Sequence, residues 1–194
     1  HRRISKNGKK VIAVAAVVAA VCLVFLFVEK RSYHSYKVLN TSEQEDVVST
    51  QYVEMDGDIL RYSPDGVSVV DGSMNTVWNE TYTMQNPIAD VNGSKAVIAD
   101  SEGTSLYICD KKGITGTVTT SYSIVKVRVA ANGMVAAILD NDENTWINFY
   151  NPDGSLAAEN LTKIDDPGYP LDVAVSDNGV MMVTFQYVDG SKTT

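Results

Sequence analysis

Turns that contain glycine recur along this chain at nearly regular intervals. In one class, Gly72, Gly113 and Gly154 each follow an Asp or Asn closely, and the two intervals between these glycines are equal. In a second class the spacing is less regular, in Asp56-Gly57, Asn92-Gly93, Asn132-Gly133 and Asp177-Asn178-Gly179. Asn-Gly and Asp-Gly supply the positive φ angles that tight hairpins need. The spacing therefore predicts a repeated unit of short strands joined by hairpins.

The segments between these turns have the patterns of β-strands. Apolar and polar residues alternate with a period of two, as in Val125, Val127 and Val129 and again in Leu171, Val173 and Val175. This period is typical of strands with one buried face. Residues 134–139 and 180–183 are apolar throughout, which predicts strands covered on both faces. No convincing amphipathic helix follows residue 51.

A repeat of about 40 residues with four strands is typical of a β-propeller blade. We therefore predict an all-β fold, a partial β-propeller of four-stranded antiparallel blades preceded by one N-terminal transmembrane α-helix. The blades are expected at about residues 52–86, 88–123 and 124–169, with an incomplete blade at 170–194. A β-sandwich with coincidental turn spacing is the alternative. The two equal intervals of the first glycine class favour the propeller.

The number of blades raises a further expectation. A closed propeller needs about four blades or more, and neighbouring blades cover each other's apolar faces. We therefore expect the rest of the propeller to lie outside this sequence. An open curved stack that dimerises is the alternative.

The N-terminal part predicts a membrane anchor. Residues 11–28 contain no charged or polar side chain except the thiol of Cys22, and a helix over this run approaches the thickness of a bilayer core. Five basic residues lie within residues 1–10, which predicts a cytoplasmic tail, a transmembrane helix at 11–28 in contact with lipid, and a juxtamembrane stalk at 29–50. The domain after residue 51 is then extracytoplasmic. A cleaved signal peptide is the alternative, but no A-x-A-like site follows the apolar run.

Charge and composition exclude several classes of function. The formal net charge is −8, and residues 32–194 carry nine basic and 23 acidic side chains. An acidic domain repels phosphate backbones, so we expect no nucleic-acid partner. The two histidines, His1 and His34, leave little for a zinc site or for His-based catalysis. Cys22 and Cys109 are placed too differently to pair, and we expect no cofactor.

Three groups of acidic residues are candidate sites. Asp140, Asp142 and Asn144 begin like a calcium loop, although Thr145 stands where an EF-hand loop needs glycine. We interpret these residues as a solvated hairpin tip, with weak calcium binding as the alternative, and we expect no metal site. Asp165-Asp166 and Asp90 could supply paired carboxylates for glycoside hydrolysis, but nothing in the sequence fixes their separation. We therefore expect no catalytic residue in this chain.

Three segments carry a resemblance to a known family: residues 58–66 (DILRYSPDG), 76–79 (TVWN) and 168–179 (GYPLDVAVSDNG). With the basic start, the anchor and the polar stalk, they resemble an uncharacterised family of Gram-positive bacterial single-pass membrane proteins, a domain of unknown function with an extracellular propeller like WD or quinoprotein propellers. The resemblance covers about residues 9–194 and implies the N-terminal half of a longer protein. It supplies no activity and no catalytic residues.

These observations lead to a functional expectation. We expect a membrane-anchored extracytoplasmic propeller that is not an enzyme and that holds a protein or cell-envelope partner through its loop face. The alternative is a ligand sensor or a carboxylate-dependent envelope hydrolase whose site lies partly in missing blades. A fold alone does not decide between the two.

Overall fold

The computed structural model describes residues 16–24, 49–163, 169–177, 180–186, 188–189 and 192–193. The chain divides into two units, residues 1–41 and residues 42–194. In the first unit, a helix (α1) covers residues 16–24. None of the helical segments in the described ranges is both long enough and apolar enough to cross a bilayer. Residues 11–15 and 25–28 of the predicted span, and the predicted stalk up to residue 48, lie outside the described residues.

The second unit is built from antiparallel sheets. Sheet I contains β1 (Gln51–Met55), β2 (Asp58–Ser63), β3 (Gly66–Val70) and β4 (Thr76–Thr81). Sheet II contains β5 (Pro87–Asn92), β6 (Lys95–Asp100), β7 (Ser105–Asp110) and β8 (Gly113–Thr119). Sheet III contains β9 (Ser123–Val129), β10 (Val135–Asp140), β11 (Thr145–Tyr150) and β12 (Leu156–Thr162). Two hairpins follow, β13 (Tyr169–Val175) with β14 (Met181–Gln186) and β15 (Val188–Asp189) with β16 (Lys192–Thr193).

Each four-stranded sheet is a meander in which the strands follow the chain order. The turns between first and second strands contain Gly57, Gly93 and Gly133, whose φ angles are 83°, 58° and 87°. The other glycine class belongs to the connections between third and fourth strands: Gly72 and Gly154 lie in these turns, and Gly113 is the first residue of β8, directly after such a turn. In a meander, both sets of turns lie at the same end of the sheet. We call this end the glycine-turn face, and the end with the remaining turns and the connections between sheets the opposite face.

The sheets stack face to face around apolar cores. Between sheets I and II lie Met55, Leu60, Val69, Ala96 and Ile98, all inaccessible to solvent. Fully burying a side chain of this size contributes about 1.5–3 kcal/mol. This core is continued by Tyr82 and Met84 from the connection between the two sheets.

A second core joins sheets II and III, with Val97 and Leu106 on one side and Val127, Ala137 and Leu139 on the other. A third core, smaller, joins Ala136 and Ile138 of sheet III to Val173 of β13. Neighbouring residues of β10 thus face different cores. The prediction that residues 134–139 are covered on both faces is confirmed for β10, where Val135–Leu139 are buried.

The same prediction is wrong for residues 180–183. Val180 is 64% exposed and Met182 is 67% exposed, whereas Val183 packs on the third core. The reason is that β14 forms a two-stranded sheet with β13 and only one face of this hairpin meets a described sheet.

β-Bulges interrupt the predicted alternation in β9 and β13. Lys126 and Ile124 pair with successive residues of β10, so Val125 is an extra residue, and it is 42% exposed. Leu171 is the corresponding extra residue of β13 and is 49% exposed. Both were expected on the buried face. An extra residue shifts every following side chain to the other face, and sequence period alone does not show it.

Bulges also occur in the fourth strand of every four-stranded sheet. The extra residues are Val77 in β4, Thr115 in β8 and Ala157 in β12. All three side chains are exposed. Each bulge lies close behind the turn that leads into the strand.

The described part of the second unit is therefore all-β, with three stacked four-stranded meanders and a further hairpin packed on the third. The first strands β1, β5, β9 and β13 lie beside one another along the stack. Stacked meanders with adjacent first strands are the arrangement of propeller blades around an axis. The prediction of a partial β-propeller is confirmed in this respect.

Candidate functional site

The innermost strands carry a ladder of charges that crosses three neighbouring sheets. Arg128 of β9 lies between two carboxylates, with Nη1 3.7 Å from Asp90 Oδ1 of β5 and Nη2 3.6 Å from Asp172 Oδ1 of β13. Lys126 of β9 places Nζ 3.1 Å from the same Asp172 oxygen. The two cations and two anions balance, so the ladder holds three sheets together without a net charge.

Asp90, one of the candidate carboxylates, is tied to backbone within this ladder. Its Oδ2 accepts a hydrogen bond of 2.8 Å from the Val129 backbone N–H of the neighbouring sheet. Burial raises the pKa of Asp90, while the bond from Val129 and the Arg128 guanidinium act in the opposite direction. Asp172 has a lowered pKa because it accepts a hydrogen bond from Lys126. Through these contacts, the Asp90 side chain connects sheet II to sheet III.

Asp140, Asp142 and Asn144 lie at the tip between β10 and β11. Asp140 Oδ1 accepts the Asp142 backbone N–H at 2.8 Å, and Asp140 Oδ2 accepts the Tyr169 hydroxyl at 3.0 Å. Asn141 Oδ1 accepts the backbone N–H groups of Glu143 and Asn144. Within the described ranges, no group of three His, Cys, Asp or Glu side chains is arranged to hold a metal ion. The side-chain oxygens of Asp140 and Asn141 instead close the turn, as expected for a hairpin tip.

The remaining candidates are placed as follows. Asp165-Asp166 and His34 lie outside the described residues. Cys109 is buried in the core between sheets I and II, and burial raises the pKa of its thiol to about 12. A thiol that is completely buried in an apolar core has the environment of a structural cysteine. Cys22 and Cys109 are both free.

The two loop faces differ in how their charges are paired. On the glycine-turn face, Lys111 Nζ lies 2.9 Å from Asp58 Oδ2 and 3.9 Å from Asp56 Oδ2 of the neighbouring sheet. Lys95 Nζ lies 3.2 Å from Asp110 Oδ2. The acidic side chains Asp56, Asp58 and Asp110 on this face therefore have cationic partners, whereas Asp71, Asp153 and Asp177 have none among the described residues.

The opposite face is acidic and its charges are unpaired. Seven carboxylates lie in its turns or at the ends of the adjoining strands: Asp65, Glu80, Asp100, Glu102, Asp140, Asp142 and Glu143. Among the residues that the structure describes, none of the seven forms an ion pair. The Asp100 carboxylate forms hydrogen bonds within the protein, since Oδ1 accepts the backbone N–H groups of Gln85 and Asn86. We call this end the acidic face.

A polar cleft of about 340 Å³ lies between sheets II and III, where β8 faces β11 and β12. Its lining is rich in hydroxyl, amide and carboxylate groups: Thr117, Thr119, Ser121, Asn148, Tyr150 and Glu159. Asn148 Nδ2 donates to Tyr150 Oη at 3.1 Å and to Glu159 Oε2 at 3.3 Å. The cleft has the volume of a ligand site.

Sequence reasoning missed this cleft, because its walls come from strands of two different sheets that lie far apart in the sequence. One signal pointed to it. Gly116 lies inside β8, and a Cβ there would meet the carbonyl carbon of Asp153 and the nitrogen of Gly154 at 2.5 Å each. A glycine within a strand often marks a close approach of another backbone, here the turn between β11 and β12.

Several solved structures are similar to this chain at low sequence identity. Hsv2 of Kluyvelomyces marxianus superposes with a TM-score of 0.54 at 16% identity, covering 75% of this chain and 47% of Hsv2. The Pan2 WD40 domain of Neurospora crassa gives 0.44 at 13% identity, covering 66% and 39%. A protein of unknown function from Bacteroides caccae gives 0.44 at 16%, covering 76% and 60%. The chain thus spans about half the length of Hsv2.

Among curated proteins, none matches the chain significantly. A family model, described as a family of unknown function, matches residues 29–194 and so covers all three four-stranded sheets. This match agrees with the family resemblance seen in the sequence in its unknown function, and it begins at residue 29, after the apolar run that the resemblance included. The chain belongs to the family of unknown function DUF5711.

Proposed function

We propose that this protein is a binding scaffold without enzymatic activity, and that a protein partner with a basic surface docks on its acidic face. The observation that carries the proposal is the concentration of unpaired carboxylates on one face. The seven carboxylates of the acidic face have no cationic partner among the described residues, whereas Lys95 and Lys111 neutralise carboxylates on the glycine-turn face.

The stack of sheets gives this face a rigid support. Two apolar cores and the ladder of Asp90, Arg128 and Asp172 fix the sheets relative to one another. The turns of the acidic face are held by hydrogen bonds within the protein, as at Asp100 and Asp140. A rigid surface with one sign of charge speeds encounter with an oppositely charged partner and selects against partners of like charge.

The position of the scaffold in the cell is part of the proposal. We infer that residues 11–28 anchor it in the cell membrane, because this run is apolar and follows five basic residues. Its single-pass topology leaves the basic tail in the cytoplasm and the sheets outside, as in the Gram-positive proteins that the sequence resembles. Protease added to intact cells is then expected to digest the sheets and spare an epitope placed before residue 11. Protection of both parts contradicts this topology.

Crosslinking in native membranes tests the scaffold function. The full chain is expected to recover one basic partner, and recovery should fall at least tenfold in a variant that combines Glu102→Lys with Glu143→Lys. The matched control is Asp177→Lys, an exposed carboxylate at the glycine-turn end of β13. Recovery of no partner by the wild type, or equal recovery by all variants, overturns the proposal.

A further inference from the structure

We propose that the cleft between sheets II and III is a binding site for a cationic side chain, an arginine or a lysine, of the partner protein. This inference rests on the proposed scaffold function and names the chemistry that one of its subsites recognises. The site is formed by Asn148 and Tyr150 of β11, Glu159 of β12 and the end of β8.

One end of the cleft is fixed by a backbone contact. Near the glycine-turn face, Gly116 and Gly154 allow the backbone of β8 to touch the turn between β11 and β12. In the core between the same two sheets, Tyr122 stacks on Trp146 with ring centroids 4.0 Å apart and planes 15° from parallel. The backbone contact fixes the separation of the walls at this end, which favours a preformed site.

The one charged group of the wall is a hydrogen-bond acceptor. Glu159 is the only charged residue among those that line the cleft, and among the described residues its exposed carboxylate accepts a single bond of 3.3 Å, from Asn148. Because a carboxylate cannot donate, Asn148 must turn Nδ2 toward Glu159. Asn148 Oδ1 is then left buried and has no hydrogen-bond partner within the described residues.

This arrangement suits an incoming donor that carries positive charge. A guanidinium or ammonium group presents three to five N–H donors and no acceptor. Bound to Glu159, it compensates the one charge of the cleft, and Asn148, whose Oδ1 has no partner among the described residues, lines the same cleft. Hydrogen bonds between charged groups are stronger than those between neutral ones.

The location agrees with docking on the acidic face. The lining includes Thr120 and Ser121 from the connection between β8 and β9, which lies at that face. A basic partner attracted by the acidic face therefore meets the end of the cleft at the border of its docking surface. The formal net charge of −8 favours the approach of a cation from any side.

NMR titration of the full chain tests the site directly, with N-acetyl-arginine amide and N-acetyl-lysine amide as probes. We expect chemical-shift changes at the Asn148 side-chain amide and the Tyr150 backbone, with binding at least fivefold weaker in Glu159→Gln. The matched control is Asp177→Asn, a change at an exposed carboxylate that lies outside the cleft and outside the acidic face, and this variant should bind as the wild type does. No shift at Asn148, equal loss in both variants, or a preference for N-acetylglucosamine over the cationic probes overturns the inference.

The test also separates this inference from the scaffold proposal. If Glu159→Gln recovers the crosslinked partner as well as the wild type does and the probes do not bind, the cleft inference fails and the scaffold function stands. If the probes bind and no partner is recovered, the scaffold function fails and the cation site stands.

Discussion

At the scale of single residues, Asp90 joins two sheets by one hydrogen bond and one ion pair. In Asp90→Ala, the Val129 N–H loses its acceptor and Arg128 loses a counter-charge. Leaving a half-buried donor unsatisfied costs about 1–3 kcal/mol, so we expect the free energy of unfolding to fall by about that amount. Urea unfolding followed by circular dichroism measures the change.

Asp65→Ala provides the control, because Asp65 is exposed and its side chain has no described partner. Its effect should stay within about 0.5 kcal/mol. If the free energy of unfolding falls equally in the two variants, the contacts of Asp90 between sheets II and III do not stabilise the fold. The sequence singled out Asp90 only as an acidic residue, since its partners lie in the next repeat of the chain and no local pattern connects them.

At the scale of elements, the contact between β8 and the turn from β11 to β12 depends on Gly116. A Cβ in Gly116→Ala meets backbone atoms of Asp153 and Gly154 that cannot move without shifting a whole turn. Overpacking of this kind costs about 1–3 kcal/mol. Thermal unfolding should show a lower midpoint for this variant.

Gly72→Ala is the matched control for the same substitution. A Cβ at Gly72 meets nothing within 4 Å, and its φ lies outside the left-handed region. A gain of up to about 1 kcal/mol is expected there, from the reduced freedom of the unfolded chain. A midpoint for Gly116→Ala at or above that of Gly72→Ala contradicts the close-contact argument.

The elements also show which features of the fold a sequence can reveal. The turns were predictable because Asn-Gly and Asp-Gly pairs have a local conformational preference. The exposed positions of Val125 and Leu171 were not, because a bulge depends on which residues of the neighbouring strand pair with it. Residues 180–183 were predicted to be buried on both faces, but Val180 and Met182 are exposed. The reason is similar, because burial requires a neighbouring sheet on each face and an apolar sequence alone does not provide one.

At the scale of the whole molecule, the carboxylates predict how stability responds to acid. Asp71, Asp153 and Asp172 have lowered pKa values, from hydrogen bonds with Asn75, Ser155 and Lys126 respectively. Their stabilisation is present above the pKa of an unfolded Asp, near 4, and is lost as pH falls through the lowered native values. The free energy of unfolding should therefore decrease between about pH 5 and pH 3, as urea titrations at fixed salt can measure.

The contribution of Asp90 to the pH dependence of stability has the opposite sign. Because burial raises its pKa, its contribution is present at low pH and is lost as pH rises through the native value. In Asp90→Asn, this gain in stability at low pH is absent. The free energy of unfolding should therefore decrease more steeply toward pH 3 than in the wild type. A shallower decrease in this variant contradicts the assigned direction.

The bulges in the fourth strands bear on how the molecule behaves at high concentration. β4, β8 and β12 are the last strands of their sheets, and each presents backbone groups along the rim of the stack. An uninterrupted rim strand is a template on which another chain can add, sheet edge to sheet edge, into fibres. Val77, Thr115 and Ala157 break the repeat of that template once in every sheet. The bulges thereby oppose edge-to-edge polymerisation along the rim.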